Sequence, residues 1–259
     1  MLNTPAMSRS CSLSCVETFH SLNDVVVYGK TQADHDKALR AVYQKFADIN
    51  LTLNKSKCEF NKSSLSFFGF VFSKDRISPD PDKVHAIHNM NRPKSVPEVR
   101  SFLGMATYCA KFIPSFSDIS QPLRELTKKN VQFRWTQQHK NSFKKIKQML
   151  TSEATMAYFD PHTETELTTD ASPVGLSAIL SQRTPGQNDR QVVAYASRSP
   201  SDVERCYSQT EKEALAIVWA IEQLHLHHYR KQFTLYTDCK PVQMIYGNAR
   251  PKPPVRIER

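Results

Sequence analysis

No apolar run in the 259 residues approaches the ~20 that a membrane-spanning helix needs, so no membrane partner is expected. The stretch from Met1 to Val16 also lacks the apolar centre of a secretory leader. Cysteine is sparse: of Cys11, Cys15, Cys58, Cys109, Cys206 and Cys239, only the first two stand close together. That scatter fits reduced thiols in an intracellular protein, cytoplasmic or nuclear, and offers no zinc cage. There is no Gly-rich loop to cradle phosphates, and Gly175 and Gly186 read as turn glycines. Acidic residues are the minority charge, 25 against 35 Lys and Arg, for a net +10 and an isoelectric point near 9.3. Such an excess favours a polyanionic partner, although a solvated basic surface gives the same count.

What is present divides by pattern. Residues 1–16, rich in Ser, Cys and Met without periodicity, read as an unstructured start. Leu22 to Gly29 reads as a hairpin whose second arm, Val25 to Tyr28, is a buried strand. A helix follows from Gln32 to Ile49 with Thr31 as its cap and Leu39, Val42, Phe46 and Ile49 as its apolar stripe. Leu51 to Leu53 and Leu65 to Phe72 read as short strands joined by a lysine-bearing turn. From Ser73 to Leu150 the chain reads as helical. Pro81 starts one helix, Ser95-Val96-Pro97-Glu98 is a capping box opening a second, and Thr136 precedes a third running to Met149. Cations and aromatics interleave here, among them Arg92, Lys94, Arg100, Tyr108, Lys111, Arg134, Trp135, Lys144 and Lys147. That is the pattern of sequence-independent phosphate contact, or else of core rings beside solvated helix faces.

Three carboxylates then fall at the ends of three elements. Asp170 ends the alternating strand Thr165 to Asp170, Glu213 lies in the first turn of the helix Ser208 to Ile221, and Asp238 closes the strand Phe233 to Asp238. Each aspartate alone reads as a turn residue. Glu213 is harder to dismiss, because it shares helical spacing with Ile217, Ala220 or Ile221, and Leu224 and so lies on the face turned to the sheet. A carboxylate aimed at a core is costly without a positive partner. Two capping registers compete, Ser208 with Glu211 and Thr210 with Glu213, and only the first leaves Glu213 for a ligand. The cluster His225, His227 and His228 has no acid or cysteine at metal-site spacing and suits a helix end instead.

Ordered motifs carry a family resemblance. Tyr28-Gly29-Lys30-Thr31 with His35, Leu51-Thr52-Leu53-Asn54-Lys55-Ser56-Lys57-Cys58-Glu59-Phe60, Phe67-Phe68-Gly69-Phe70, Arg100-Ser101-Phe102-Leu103-Gly104 and Phe133-Arg134-Trp135-Thr136 stand in one sequence. They are similar to the Pol polyprotein of Ty3/gypsy-type LTR retrotransposons. Thr169-Asp170-Ala171-Ser172, Tyr207 to Glu213 and Thr237-Asp238-Cys239-Lys240-Pro241 resemble that family's ribonuclease H domain. The fold class implied is α/β (α+β). A partial reverse transcriptase palm (17–75) and a helical thumb and connection (76–150) precede an RNase H-like mixed sheet with flanking helices (151–247) and a basic Pro-rich tail (248–259).

The resemblance implies that Asp170, Glu213 and Asp238 hold magnesium, with manganese as alternate, and cleave the RNA strand of RNA–DNA hybrids. In this reading Asp170 bridges two ions and Glu213 serves the first. The polymerase hairpin aligns with Ser21-Leu22-Asn23-Asp24, where Asn23 is neutral in place of a carboxylate and Asp24 is retained, so polymerase activity is not expected. The family's fingers and first palm aspartate would precede residue 1. Its fourth ribonuclease acid comes from an Ala-Asp-x-Leu-Ser-Arg segment beyond Arg259, and a weaker second metal is expected. A remnant that holds nucleic acid or a partner protein without cutting is the alternative.

Overall fold

The computed structural model describes residues 18–21, 24–29, 31–151, 154–183, 189–228 and 231–246. These form two compact units that divide between Lys62 and Ser63.

In the first unit, β1 (Thr18–Ser21) and β2 (Asp24–Val27) pair antiparallel, and helix α1 (Gln32–Asp48) follows. Thr31 caps α1 by accepting from the Asp34 backbone N–H at 3.2 Å, while its hydroxyl donates to the Asp34 carboxylate at 2.7 Å. Ala38 and Val42 are buried, but Ile49 at the end of the expected stripe is exposed. The strand Val25 to Tyr28 is not buried as expected: Val25 and Tyr28 are exposed, because a two-stranded ribbon has no further sheet neighbour to cover it. Leu51 to Leu53 is not a strand either. Asn50 turns the backbone at φ 52°, both leucines stay exposed, and Asn54 caps a 3-10 turn, Lys55–Lys57, through the Ser56 N–H.

The second unit opens with β3 (Ser64–Phe67) and β4 (Phe70–Ser73), so the apolar stretch from Leu65 to Phe72 is folded on itself. Phe68 and Gly69 both take positive φ, 49° and 66°, giving the turn whose twist matches that of the flanking strands. A Cβ on Gly69 would press on the Lys83 side chain and the Tyr108 hydroxyl as well. β5 (Arg76–Pro79) continues this sheet, which β6 (Met156–Ala157) completes from far along the chain.

Four helices follow: α2 (Pro81–Asn89), α3 (Val96–Tyr108), α4 (Phe116–Glu125) and α5 (Gln137–Thr151). Asp80 caps α2 through the Asp82 N–H, with Pro81 as its first residue. At α3 the expected box is only half made. Glu98 reaches back to the Lys94 N–H at 2.8 Å, but the Ser95 hydroxyl donates to Glu98 at 3.0 Å and caps no helical N–H. Val99, Phe102, Ala106, Ile113, Leu123 and Ile146 are fully buried between these helices, and the Phe102 and Phe143 rings lie 4.5 Å apart.

The remaining elements are β7 (Glu164–Ala171), β8 (Leu176–Arg183), β9 (Arg190–Arg198), α6 (Asp202–Arg205), α7 (Gln209–Gln223), α8 (His225–His228), β10 (Thr234–Tyr236) and α9 (Lys240–Tyr246). The sheet order is β10-β7-β8-β9, with β10 parallel to β7 and the other pairs antiparallel, the mixed sheet that the sequence predicts. Helix α7 lies on one face. Ala216 packs with Ala171 and Leu176, and Ala220 with Leu167, Ala178 and Leu180. Small side chains on α7 let the helix come close to the strands that carry the site. The helical cluster meets the sheet where the Ser117 N–H donates to Ser197 Oγ at 3.1 Å.

Replacing Phe102 with Ala removes a fully buried ring from the helical cluster and is expected to cost about 3–5 kcal/mol, read by denaturant unfolding. Phe68→Ala, at a half-exposed hairpin tip, should cost less than about 0.5 kcal/mol.

Candidate metal centre

The three carboxylates singled out in the sequence converge. Asp170, Glu213 and Asp238 each offer an oxygen, and these oxygens lie within 4.8 Å of one another; among the described residues this is the one such group of potential ligands. Backbone register explains two of them. Thr234 pairs with Glu166 and Tyr236 with Thr168 in the parallel β10–β7 ladder, so the same offset carried two residues on brings Asp238 level with Asp170.

Helix α7 supplies the third. Ser208 is its cap, accepting from the Glu211 N–H, while Glu211 closes the box on the Ser208 N–H at 2.8 Å. Glu213 is therefore free of capping. It sits on the buried stripe with Ile217, Ala220 and Leu224, whereas Ile221 faces outward. Its side chain is 5% exposed; Oε1 accepts from Gln209 Nε2 at 2.8 Å, and Oε2 is buried with no hydrogen-bond partner.

Asp238 stands just past its strand rather than in it. The turn there is made by Thr237, whose hydroxyl accepts from the Cys239 N–H at 3.2 Å, so Asp238 is not spent on holding the loop.

Two residues that sequence reasoning passed over support the cluster. Gln209, one helical turn before Glu213, donates both to Glu213 and to the Ala171 carbonyl at 2.6 Å, tying helix to strand. The i, i+4 spacing of Gln209 and Glu213 was the available signal. Asp118, near the start of α4, accepts a hydrogen bond from the Ser172 hydroxyl in the β7–β8 turn. Nothing in its own neighbourhood of the sequence points there.

Burial pushes the Asp170 carboxyl above its ordinary pKa, with Asp238 and, more weakly, Asp118 adding repulsion against the Ala171 N–H. Burial likewise raises Glu213, and Asp170 and Asp238 repel it while Gln209 partly offsets them. Hard oxygen donors, like-charge repulsion and an orphaned buried oxygen together fit a hard divalent cation.

Other candidates separate from this centre. Asn23 lies outside the described residues, and of Asp24 only the backbone is described, paired with Ser21. His225 bonds the Glu222 carbonyl at 3.1 Å, and His227 is edge-on to Phe159, its basicity lowered by burial. Several of the interleaved cations lie over rings. Lys83 lies 3.6 Å from the Tyr108 ring centre and Lys111 3.3 Å from that of Phe70, with burial lowering Lys111 to about 8. A groove of about 820 Å³ between α2 and α5 is lined by Arg92, Lys140, Lys144 and Lys147, with Trp135 and Phe143 and no carboxylate.

A raised carboxyl pKa means that the native state holds its proton more tightly than the unfolded chain. The contribution favours folding at low pH and is lost as pH rises through the raised value. In chelator, the wild type is expected to lose thermal stability relative to Asp170→Asn as pH rises above about 4, the ordinary carboxyl value, with the gap levelling off once the raised value is passed. Parallel melting curves across that range are the check.

Comparison with known proteins follows the same lines. Residues 135–239 match the family described as an RNase H-like domain found in reverse transcriptase. The chain is 33% identical over 256 residues to the retrovirus-related Pol polyprotein from transposon 297 of Drosophila melanogaster, a match covering 96% of this chain and 24% of that protein. It is 34% identical over 222 residues to the transposon Tf2-3 polyprotein of Schizosaccharomyces pombe, covering 84% of this chain and 16% of the relative. The chain thus spans about a quarter or less of these curated relatives. In fold it is similar to foamy viral protease-reverse transcriptase, in a structure with RNA/DNA hybrid (TM-score 0.71, 19% identity, 93% of this chain and 33% of that one). A second foamy viral structure, in complex with double-stranded DNA, gives a TM-score of 0.74 at 19% identity, over 93% of this chain and 43% of the other. Residues 135–239 are thus similar to the RNase H-like domain family of reverse transcriptases, within a chain similar over nearly its whole length to a part of retrotransposon Pol polyproteins.

Proposed function

We propose that the chain hydrolyses the RNA strand of RNA–DNA hybrids with divalent metal held by Asp170, Glu213 and Asp238. The observation that carries this reading is the approach of one oxygen from each of the three acids to within 4.8 Å of the others, at a Glu213 whose Oε2 is buried without a hydrogen-bond partner among the described residues. Such an arrangement is costly for the bare protein, and a cation repays it.

Magnesium or manganese, when bound, supplies activation of the attacking water and charge stabilisation at the leaving oxygen. The chain's own residues do the rest. Gln209 fixes one Glu213 oxygen and leaves the other for a ligand, while Asp170 on β7 and Asp238 just beyond β10 would hold the ions together with it. Hydrolysis forms a bond from water oxygen to phosphorus and breaks the bond to the 3′ oxygen, leaving a 3′-hydroxyl and a 5′-phosphate. Preference for RNA would rest on its 2′-hydroxyl.

The groove lined by Arg92, Lys140, Lys144 and Lys147 suits the phosphate backbone of such a duplex, since Lys140, Lys144 and Lys147 fall on one face of α5. The foamy viral structures with hybrid and with double-stranded DNA support nucleic acid as the partner class. We read residues 17–75 as palm-derived, 76–150 as thumb and connection, and 151–247 as the nuclease, inside the cell. Polymerase chemistry is not proposed, because Asn23 stands where a carboxylate is required. The acid-free groove also favours a second reading, a chain that holds nucleic acid without cutting it.

Purified protein with magnesium or manganese is expected to cleave a labelled RNA–DNA hybrid, with cleavage lost in Asp170→Asn and Glu213→Gln. Hybrid left intact by the wild type while it still binds would replace the nuclease reading with the second one. Exchanging Lys140 and Lys144 for Ala is expected to weaken binding of all sequences alike and to reduce the slope of log affinity against log salt by about 2, if each makes one phosphate contact. An unchanged slope would remove the groove from the binding path.

A further inference from the structure

The turn that follows Asp170 is held from outside its own sheet. After Asp170 and Ala171, the chain reverses through Ser172 to Gly175 into β8. The Ser172 hydroxyl accepts from the Val174 N–H at 3.1 Å and the Gly175 N–H at 2.8 Å, and the Ser172 N–H donates to the Gly175 carbonyl at 2.8 Å. The same hydroxyl gives its proton to Asp118 Oδ1, the Gly175 carbonyl at 3.3 Å being the longer and weaker alternative acceptor. A hydroxyl has one proton and two lone pairs, so Ser172 is fully used.

Gly175 belongs to the same contact. Its φ is ordinary, so the backbone does not call for glycine. Space does: a Cβ there would lie 2.8 Å from the Asp118 Cγ and collide with its carboxylate oxygens. Asp118 is thus seated directly on the turn. It comes from α4, which the Ser117 N–H also fastens to β9 through Ser197.

Electrostatics gives Asp118 no other purpose at this place. No lysine or arginine among the described residues forms an ion pair with it. A further negative charge beside a cluster of carboxylates disfavours the metal-free fold, and a neutral acceptor would hold the turn at lower cost.

We propose that Asp118 is a positioning residue for the carboxylate centre: through Ser172 it locks the β7–β8 turn, and so the seat of Asp170, to helix α4. This rests on the metal-dependent reading above for its functional consequence, but the lock itself is a property of the metal-free protein. Loosening it should spread Asp170 over several positions and weaken cation binding and turnover, while substrate affinity, made elsewhere, holds.

The experiment compares Asp118→Ala, Ser172→Ala, the double variant and the conservative Asp118→Asn, which keeps an oxygen for the Ser172 hydroxyl. Three readouts are taken: amide hydrogen exchange at Val174 and Gly175 in chelator, manganese affinity by calorimetry, and kcat and KM on a labelled hybrid. Expected for either alanine variant are about tenfold faster exchange at those amides, about tenfold weaker manganese binding, and lower kcat with KM unchanged. The double variant should be no worse than the singles, since both act through one contact. Asp118→Asn should recover most of the loss. Wild-type exchange at Val174 and Gly175 in a folded Asp118→Ala protein would overturn the proposal, as would an asparagine variant as impaired as the alanine one. A wild type that binds no manganese would instead sink the metal-dependent reading, while the exchange data would still decide the lock.

Discussion

One oxygen sets the terms for the nuclease-like half of this molecule. Glu213 Oε2 is buried and has no hydrogen-bond partner among the described residues, in a carboxylate that approaches two aspartates of the same sign. An unpaired buried acceptor of this kind costs on the order of 1–3 kcal/mol, more when ionised. The protein holds it there because α7 is fixed by other contacts. Ala214, Ala216, Ile217 and Ala220 pack against the strands and α9 over most of the helix. Glu213 is carried inward on their periodicity.

The remaining parts of the site follow from that placement. Gln209 takes one Glu213 oxygen and anchors to the Ala171 carbonyl, which leaves the other oxygen unpartnered in a carboxylate that approaches Asp170 and Asp238. Parallel pairing of β10 with β7 sets the two aspartates level across the sheet end. A chain with a large positive net charge therefore concentrates negative charge at one point, and its cations collect elsewhere, over aromatic rings and along the groove beside α5. That separation suits the polyanionic ligand proposed above, whose backbone the cations would hold while the acidic centre would take a metal before a phosphate could approach.

Elements whose signals are local were legible in the sequence. Thr31 caps its helix as read, since a cap depends on a side chain and an N–H two or three residues away; Asp80, just before the helix-opening Pro81, and Ser208, one of two registers the sequence left open, make the same kind of bond. Strand readings fared worse where pairing was at issue. Leu51 and Leu53 alternate like a strand yet find no partner, and the apolar run from Leu65 to Phe72 conceals a reversal at Phe68 and Gly69. Alternation reports which faces differ, not whether a neighbouring strand exists. Helix α4 carried no legible start, because its cap position, Ser115, takes a left-handed backbone and makes no side-chain bond.

By itself the sequence determined the identity of the three acids, the helical face on which Glu213 lies, and the basic character of the chain, because spacing and composition are properties of the linear order. Which capping register α7 uses, and hence that Glu213 is left over, was decided only by the folded helix end. The level placement of Asp170 and Asp238, the bridge made by Gln209 and the reach of Asp118 to Ser172 were likewise decided by tertiary structure. These depend on strand register and on contacts between residues far apart in the chain, and no local pattern encodes the distance between two elements until packing has fixed it.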